Sequence, residues 1–360
     1  PSRPCAPTLA RMASGHGSAP LVIGHRGASG YRPEHTAPAY ALAVALGADA
    51  VEPDLVATRD GVLVVRHENE ISGTTDVASR PEFAARRTTR EIDGRRVAGW
   101  FTEDFTWAEL ATLRARERMP KTRPQGASFD GRFPLLRLRD LLALLDRESE
   151  RSGREVGLVA EFKHATHFAE QGLPLDELFA DELGAAGWTD RGGLVCEAFE
   201  LDVLDRLARR GVAGRRVFLL EASGAPADLV RALGQASPRF DVFATHDGLA
   251  GLAGRVHGVS VDTGRLVGRG HGADVAPGAP LTGAALVDAA HGHGLDVFAW
   301  TLRPENRFLP QGFRRGSAKS AWGDWLGAFS RVLETGVDGI FADHPDLAAD
   351  ARNTMDTTPG

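Results

Sequence analysis

Cysteine is scarce in this chain of 360 residues: there are two, Cys5 and Cys196. One lies in a Pro/Ala/Ser/Gly-rich opening stretch and the other in the apolar run Leu194-Val195-Cys196, which argues against a disulfide framework. No segment reaches the roughly 18 consecutive apolar residues of a membrane helix. Basic residues are not in excess either. Against 48 Asp and Glu stand 42 Lys and Arg, a net charge of −6, which disfavours a broad nucleic-acid or anionic-membrane surface. An anionic small substrate would then be drawn in by a few placed cations or a metal. The first 20 residues lack both an apolar h-region and an initiator Met, and read as the start of a mature chain whose leader has been removed or trimmed away. What remains is an ordinary globular composition, 42% hydrophobic and 25% charged, which excludes disorder and biased repeats.

Short apolar, β-branched runs recur from residue 20 to residue 350. They are Leu21–Gly24, Ala50–Leu55, Val62–Val65, Gly157–Phe162, Gly193–Phe199, Arg216–Leu220, Gly258–Val261, Asp296–Thr301 and Gly339–Ala342. Between most of them lie segments of helical period, such as Leu136–Leu145, Val203–Arg210 and Ala285–His291. That alternation predicts an α/β fold with a parallel sheet, and about eight repeats without a composition break favour a closed (β/α)8 barrel. No G-x-G-x-x-G follows the first strand, so the usual dinucleotide signal is missing. The organisation expected is a tail over 1–19, one barrel domain over 20–350 and a tail over 351–360. The first helix is bounded by Thr36 as N-cap, Pro38 in its first turn and Gly47 at its end.

Two stretches depart from a plain barrel. Residues 70–133 are far longer than an ordinary βα loop and predict an inserted excursion over one mouth. Between Asp54 and Val62 the chain has room for a tight turn at Thr58-Arg59-Asp60-Gly61 but not for a crossover helix. An antiparallel hairpin is expected there, with His67 opposite about Pro53.

Chemistry-bearing residues gather at strand ends. Glu52 and Asp54 lie two apart in an apolar strand and so share a face, where a cation would relieve their repulsion and hard oxygens suit Mg²⁺ or Ca²⁺. A strand end salt-bridged to arginines is the alternative. Pro53, between them, lacks a donor and must sit where no ladder bond is needed. Glu161 and Lys163 repeat the pattern, either as a third carboxylate with a phosphate-binding cation or as a local pair across the pleat. His25 and His67 end their strands near acids, and two such imidazoles can serve as base and acid. Arg26 offers a guanidinium fork to phosphate oxygens. The other histidines, including His35, His164 and His167, show no such pairing, and His164 with His167 is a weak candidate ligand pair.

Taken in order, His25-Arg26-Gly27-Ala28-Ser29-Gly30, Pro33-Glu34-His35-Thr36, Glu52-x-Asp54, His67-Glu68-Asn69 and Glu161-Phe162-Lys163 resemble the signature of the glycerophosphodiester phosphodiesterase family. So do Phe298-Ala299-Trp300-Thr301 and Gly336-Val337-Asp338-Gly339-Ile340-Phe341-Ala342-Asp343, and the likeness spans about residues 20–350. Each motif alone is weak; their order and spacing are specific. The resemblance implies a phospholipase-C-like TIM-type barrel and a divalent metal, Ca²⁺ before Mg²⁺, held by Glu52, Asp54 and Glu161. It implies His25 and His67 as the acid/base pair, Arg26 and Lys163 facing phosphate, Glu34 supporting the metal site, and Trp300 lining the glycerol pocket. The substrate implied is a small glycerophosphodiester, split to sn-glycerol 3-phosphate and an alcohol, with no nucleic-acid partner. With the long excursion it also implies a periplasmic or secreted enzyme. A lysophospholipid or teichoic-acid-type phosphodiesterase, or a non-catalytic glycerophosphate-binding module, are the alternatives. Two departures stand out: Pro53 within the carboxylate pair, and Glu197-Ala198-Phe199 where relatives carry Gln-Ser-Phe.

Overall fold

The computed structural model describes residues 19–267 and 278–356, so residues 1–18 of the expected N-terminal tail, Cys5 among them, and the last four residues of the C-terminal one lie outside it. Among the described residues twelve strands appear in chain order: β1 (Leu21–His25), β2 (Ala50–Glu52), β3 (Asp54–Ala57), β4 (Leu63–Val65), β5 (Thr88–Ile92), β6 (Arg95–Gly99), β7 (Gly157–Phe162), β8 (Leu194–Ala198), β9 (Arg215–Leu220), β10 (Gly258–Asp262), β11 (Asp296–Leu302) and β12 (Gly339–Ala342). β1 pairs in parallel with both β2 and β12, and β2 and β3 both pair with β7. The ladder continues in parallel through β8, β9, β10 and β11 to β12. The ring closes as an eight-stranded barrel in which β2 and β3 form one staved position broken at Pro53, whose missing N–H cannot join the ladder.

The hairpin forms as chain length requires. β3 and β4 are antiparallel, with Leu55 opposite Val65 and Ala57 opposite Leu63. Extending that register puts His67 opposite Pro53, and the Arg66 N–H bonds the Asp54 carbonyl at 3.0 Å. The first helix, Ala37–Ala45, takes Thr36 as its N-cap, the hydroxyl accepting from the Ala39 N–H at 3.4 Å. The final helix, Pro345–Asp356, runs past the boundary expected at residue 350. Ala351 is buried, and Arg352 pairs with Asp49 at 2.5 Å and donates to the Pro20 carbonyl at 3.1 Å, which ties that turn to the barrel's start.

Packing separates two layers. Outer faces of the strands carry Val, Leu and Phe against the helices, each fully buried side chain contributing about 1.5–3 kcal/mol by its transfer from water. Inner faces form a smaller apolar plug that includes Ile23, Ala50, Val159, Val195, Val217, Phe298 and Phe341. Side chains alternate along a strand, so the residues two further on also point inward at the C-terminal mouth. Those residues are His25, Glu52, Glu161, Glu197, Leu219, Trp300 and Asp343. The functional ring is the plug's next layer.

The excursion 70–133 contains the β5–β6 hairpin and short helical turns at Trp107–Leu110 and Pro124–Ala127. Thr106 and Glu109 form a capping box on the first of these. No helix of the described residues is long and apolar enough to cross a membrane.

Candidate active site

A cavity of about 130 Å³ opens at the C-terminal mouth, lined by His25, Arg26, Glu52, His67, Glu161, Lys163, Glu197, Phe199, Leu219, Glu221, Trp300, Thr301, Arg303 and Phe341. The turn after β1 shapes one wall. Arg26 has φ +59 and Gly27 φ +85, and a Cβ on Gly27 would meet the Ala39 backbone at 2.7 Å. A left-handed arginine costs conformational energy that the surrounding contacts must offset. Here the Arg26 N–H bonds the Glu52 carboxylate at 2.8 Å, while its side chain reaches Asp54 at 3.2 Å and Glu34 at 3.3 Å.

Glu52, Glu161 and Glu197 come together, with oxygens within 4.8 Å of one another, all three buried. Burial, then the Asp54 charge, pushes Glu52 well above the carboxylate range. Burial and Glu161 do the same to Glu197, and burial raises Glu161 to about 7 against the pull of Lys163. Among the described residues, Glu52 Oε1 and Glu197 Oε2 have no hydrogen-bond partner. Buried carboxylates in mutual repulsion, with unsatisfied hard oxygens aimed together, fit a divalent cation such as Ca²⁺ or Mg²⁺.

Asp54 is placed differently. Its Oδ1 lies 3.0 Å from Lys163 Nζ, and its Oδ2 accepts from His35 Nε2 at 2.8 Å. Burial alone would raise it, yet Lys163, His67 and Arg26 hold it well below the usual range. It stands beside the three glutamates as an ionised neighbour, and Lys163 links it to Glu161 at 2.5 Å. His35, set aside in the sequence, is thus paired to a strand-end acid after all, with its other nitrogen 2.7 Å from the Tyr40 hydroxyl. His35 takes φ +57, a left-handed backbone turn that periodicity does not reveal. His164 and His167 diverge, to Asp93 at 2.5 Å and Glu103 at 2.8 Å.

Both lead histidines line the cavity, each held by an acid. His25 Nδ1 lies 2.6 Å from Asp343 Oδ1, and His67 Nδ1 lies 2.6 Å from Glu68 Oε1. A carboxylate acceptor needs the proton on Nδ1, which leaves each Nε2 with its lone pair. Burial and the Arg26 charge lower His25 to about 4; burial, Arg26 and Lys163 lower His67 to about 3. Both imidazoles are therefore neutral near pH 7.

Glu34 does not join the glutamate cluster. Arg118 from the excursion takes both its oxygens at 2.7 Å and also grips Glu68 at 2.7 and 2.8 Å. Arg123, from the same segment, pairs with Asp343 at 2.6 Å and Glu305 at 2.7 Å, and Arg303 reaches Asp343 at 2.7 Å. Glu197, Asp343, Arg118, Arg123 and Arg303 were not among the expected site residues. Glu197 and Asp343 carried a legible signal, since Val195-x-Glu197-x-Phe199 repeats the alternation of Val159-x-Glu161-x-Lys163 and Asp343 closes the last quoted motif two residues after Phe341. Trp300 lines the cavity, meets Phe199 edge-to-face at 5.9 Å, and has no partner for its buried Nε1 among the described residues.

Comparison with known proteins places the chain in a family. A model of the glycerophosphoryl diester phosphodiesterase family matches residues 25–347. A glycerophosphodiester phosphodiesterase of Arabidopsis thaliana is 30% identical over 337 residues, 91% of this chain and 84% of that one. Another, from Haemophilus influenzae, is 31% identical over 196 residues, 52% of this chain and 51% of its own. A phosphodiesterase of Oleispira antarctica, solved in complex with the product sn-glycerol-3-phosphate, shares the fold with a TM-score of 0.59 at 18% identity, covering 93% of this chain and 97% of that one.

Proposed function

Because the chain belongs to the glycerophosphoryl diester phosphodiesterase family, a family of enzymes, we propose that its barrel mouth hydrolyses small glycerophosphodiesters to sn-glycerol 3-phosphate and a free alcohol. The observation that carries this reading is the meeting of three buried glutamates, two acid-oriented histidines and two cations, Arg26 and Lys163, in one cavity. The product bound to the Oleispira relative supports the choice of substrate class.

Glu52, Glu161 and Glu197, with Asp54 as the ionised neighbour beside them, are the residues that would hold a divalent cation, Ca²⁺ by preference, which would supply positive charge to the phosphoryl oxygens. Arg26 and Lys163 face the same oxygens and neutralise charge that builds on them in the transition state. The free Nε2 of one histidine takes the proton of the attacking hydroxyl or water. The other histidine, which takes a proton from solvent when the anionic phosphate binds beside it, gives that proton to the leaving alcohol. Asp343 and Glu68 keep the two rings in the tautomer those steps need. Trp300 and Phe199 offer an apolar wall to the organic part of the substrate. The compact cavity, rather than an open apolar groove, favours a small head group over a lysophospholipid.

The test is turnover of glycerophosphocholine, read as sn-glycerol 3-phosphate released, by protein first stripped with EDTA and then given Ca²⁺ or Mg²⁺. Activity that vanishes on stripping and returns with the ion is the expected result. Full turnover by protein shown metal-free would sink the metal-assisted reading, and no turnover under any condition would sink the activity.

A further inference from the structure

The cavity has a second end that the phosphate chemistry does not use. Past Glu197 the wall turns apolar, with Phe199, Leu219 and Trp300, and then meets the carboxylate of Glu221. Glu221 follows Leu219 by two residues at the end of β9, so both face the cavity. Outside the glutamate cluster, several acids around this mouth are paired to a cation or a histidine: Glu34 and Glu68 to Arg118, Glu103 to His167, Asp343 to Arg123 and Arg303. Glu221 is different. Among the described residues it has no ion pair, and its hydrogen bond is to the N–H of its own neighbour Ala222, at 3.3 Å. On the next strand, where Leu220 stands beside Val261, the corresponding position is Asp262. That carboxylate likewise has no ion pair among the described residues and accepts from the Gly264 N–H at 2.7 Å.

An uncompensated carboxylate beside aromatic faces, at the end of a cavity whose other end binds phosphate, is the chemistry that recognises an organic cation. We propose that Glu221, with Asp262 behind it, makes this site select diesters whose alcohol carries a positive charge, a quaternary or primary ammonium, over those with a neutral alcohol. The ammonium lies between the Phe199–Trp300 pair and the Glu221 carboxylate while Arg26 and Lys163 hold the phosphate. An anionic alcohol meets repulsion there. The inference rests on the phosphodiesterase reading of the same cavity.

The experiment compares kcat/KM for glycerophosphocholine and for glycerophosphoglycerol, and reads their ratio in the wild type, in E221Q and in E221K. A separate arm measures choline binding calorimetrically, with no turnover involved. Glu221 is exposed, so the variants should fold, which thermal melting checks. The expected ratio favours the cationic diester and falls roughly three- to tenfold in E221Q, the worth of one partly exposed charge contact. It falls further in E221K, shrinks in high salt for the wild type, and choline binding weakens in parallel. Both diesters turned over at a ratio that neither substitution moves would overturn the inference while leaving the phosphodiesterase intact. A wild type that hydrolyses neither diester defeats the phosphodiesterase reading instead. In that case choline binding weakened by E221Q still supports the cation subsite, and choline binding absent or indifferent to E221Q overturns it.

Discussion

His25 Nδ1 and Asp343 Oδ1 lie 2.6 Å apart across the β1–β12 seam, although 318 residues separate them in the chain. The parallel register continues Gly24 beside Ala342 into His25 beside Asp343, so the pair is a product of barrel closure. Arg123 and Arg303 hold the other oxygen of Asp343, and together with His25 they keep its carboxyl well below the usual range despite its burial. D343N should therefore leave the imidazole near its place but spoil the tautomer. We expect kcat to fall roughly 10²-fold or more with KM little changed, and H25A and H67A each to lose roughly 10²–10⁴-fold. Steady-state kinetics beside thermal melts would check this. Near-normal specific activity in the folded fraction of all three would show the histidines to be structural.

Glu197 makes a prediction with two signs. In metal-free protein its charge is a burden, because burial and Glu161 oppose ionisation. E197Q should thus stabilise the stripped protein by roughly 1–2 kcal/mol of relieved repulsion and desolvation, read as a higher melting temperature. The same change removes a hard oxygen from the cluster, so calorimetric titration should show Ca²⁺ affinity reduced on the order of tenfold. Unaltered Ca²⁺ binding in E197Q would separate Glu197 from the ion.

How much of this was readable beforehand depended on period and distance along the chain. The strand runs, the hairpin and the opposition of His67 to Pro53 follow from alternation and loop length, which are local. Glu52, Glu161, His25 and Lys163 sit at strand ends for the same reason and reach one cavity. Arg118 and Arg123 were not legible, because they reach the site from an irregular segment whose path is set by tertiary packing. An arginine partner for Asp54 was one of the two readings left open, but Lys163 and His35 were not legible. A two-residue spacing places its side chain inside the barrel, but Lys163, Arg26 and His35 decide which way its oxygens turn. Glu34 was expected to support the metal site; it is held by Arg118 and Arg26, and its link to the glutamates passes through Arg26, whose N–H bonds Glu52.

Arg118 offers the test of what the excursion does for the site. It bridges Glu34, which is buried, and Glu68, which orients His67. R118A should cost roughly 1–3 kcal/mol, since it strips a buried acid of its main partner. It should also lower kcat by loosening His67. R118K keeps a charge without the fork, and should recover stability better than turnover. Equal recovery of both, measured by chemical denaturation and kinetics, would mean the clamp is a matter of charge alone.

Glu200 gives a pH signature away from the catalytic groups. It is buried beneath Thr166, whose N–H donates to it at 2.9 Å and whose hydroxyl donates as well. Burial raises its pKa from 4.5 to about 7, with Asp93 adding to the rise and Thr166 opposing it. A raised acid keeps its proton in the native state where the unfolded chain has already lost it. Between about pH 4.5 and 7 the native state thus binds more protons, and stability falls as pH rises, by at most roughly 3 kcal/mol, then levels off. E200Q has no charge to bury and keeps an oxygen to accept from Thr166. Its stability relative to wild type should climb from pH 4.5 to 7 and stay level above. Denaturant melts at pH 5, 6, 7 and 8 would read this directly. A wild-type-to-E200Q difference that does not change across the series would mean Glu200 is not protonated in the folded protein at pH 5.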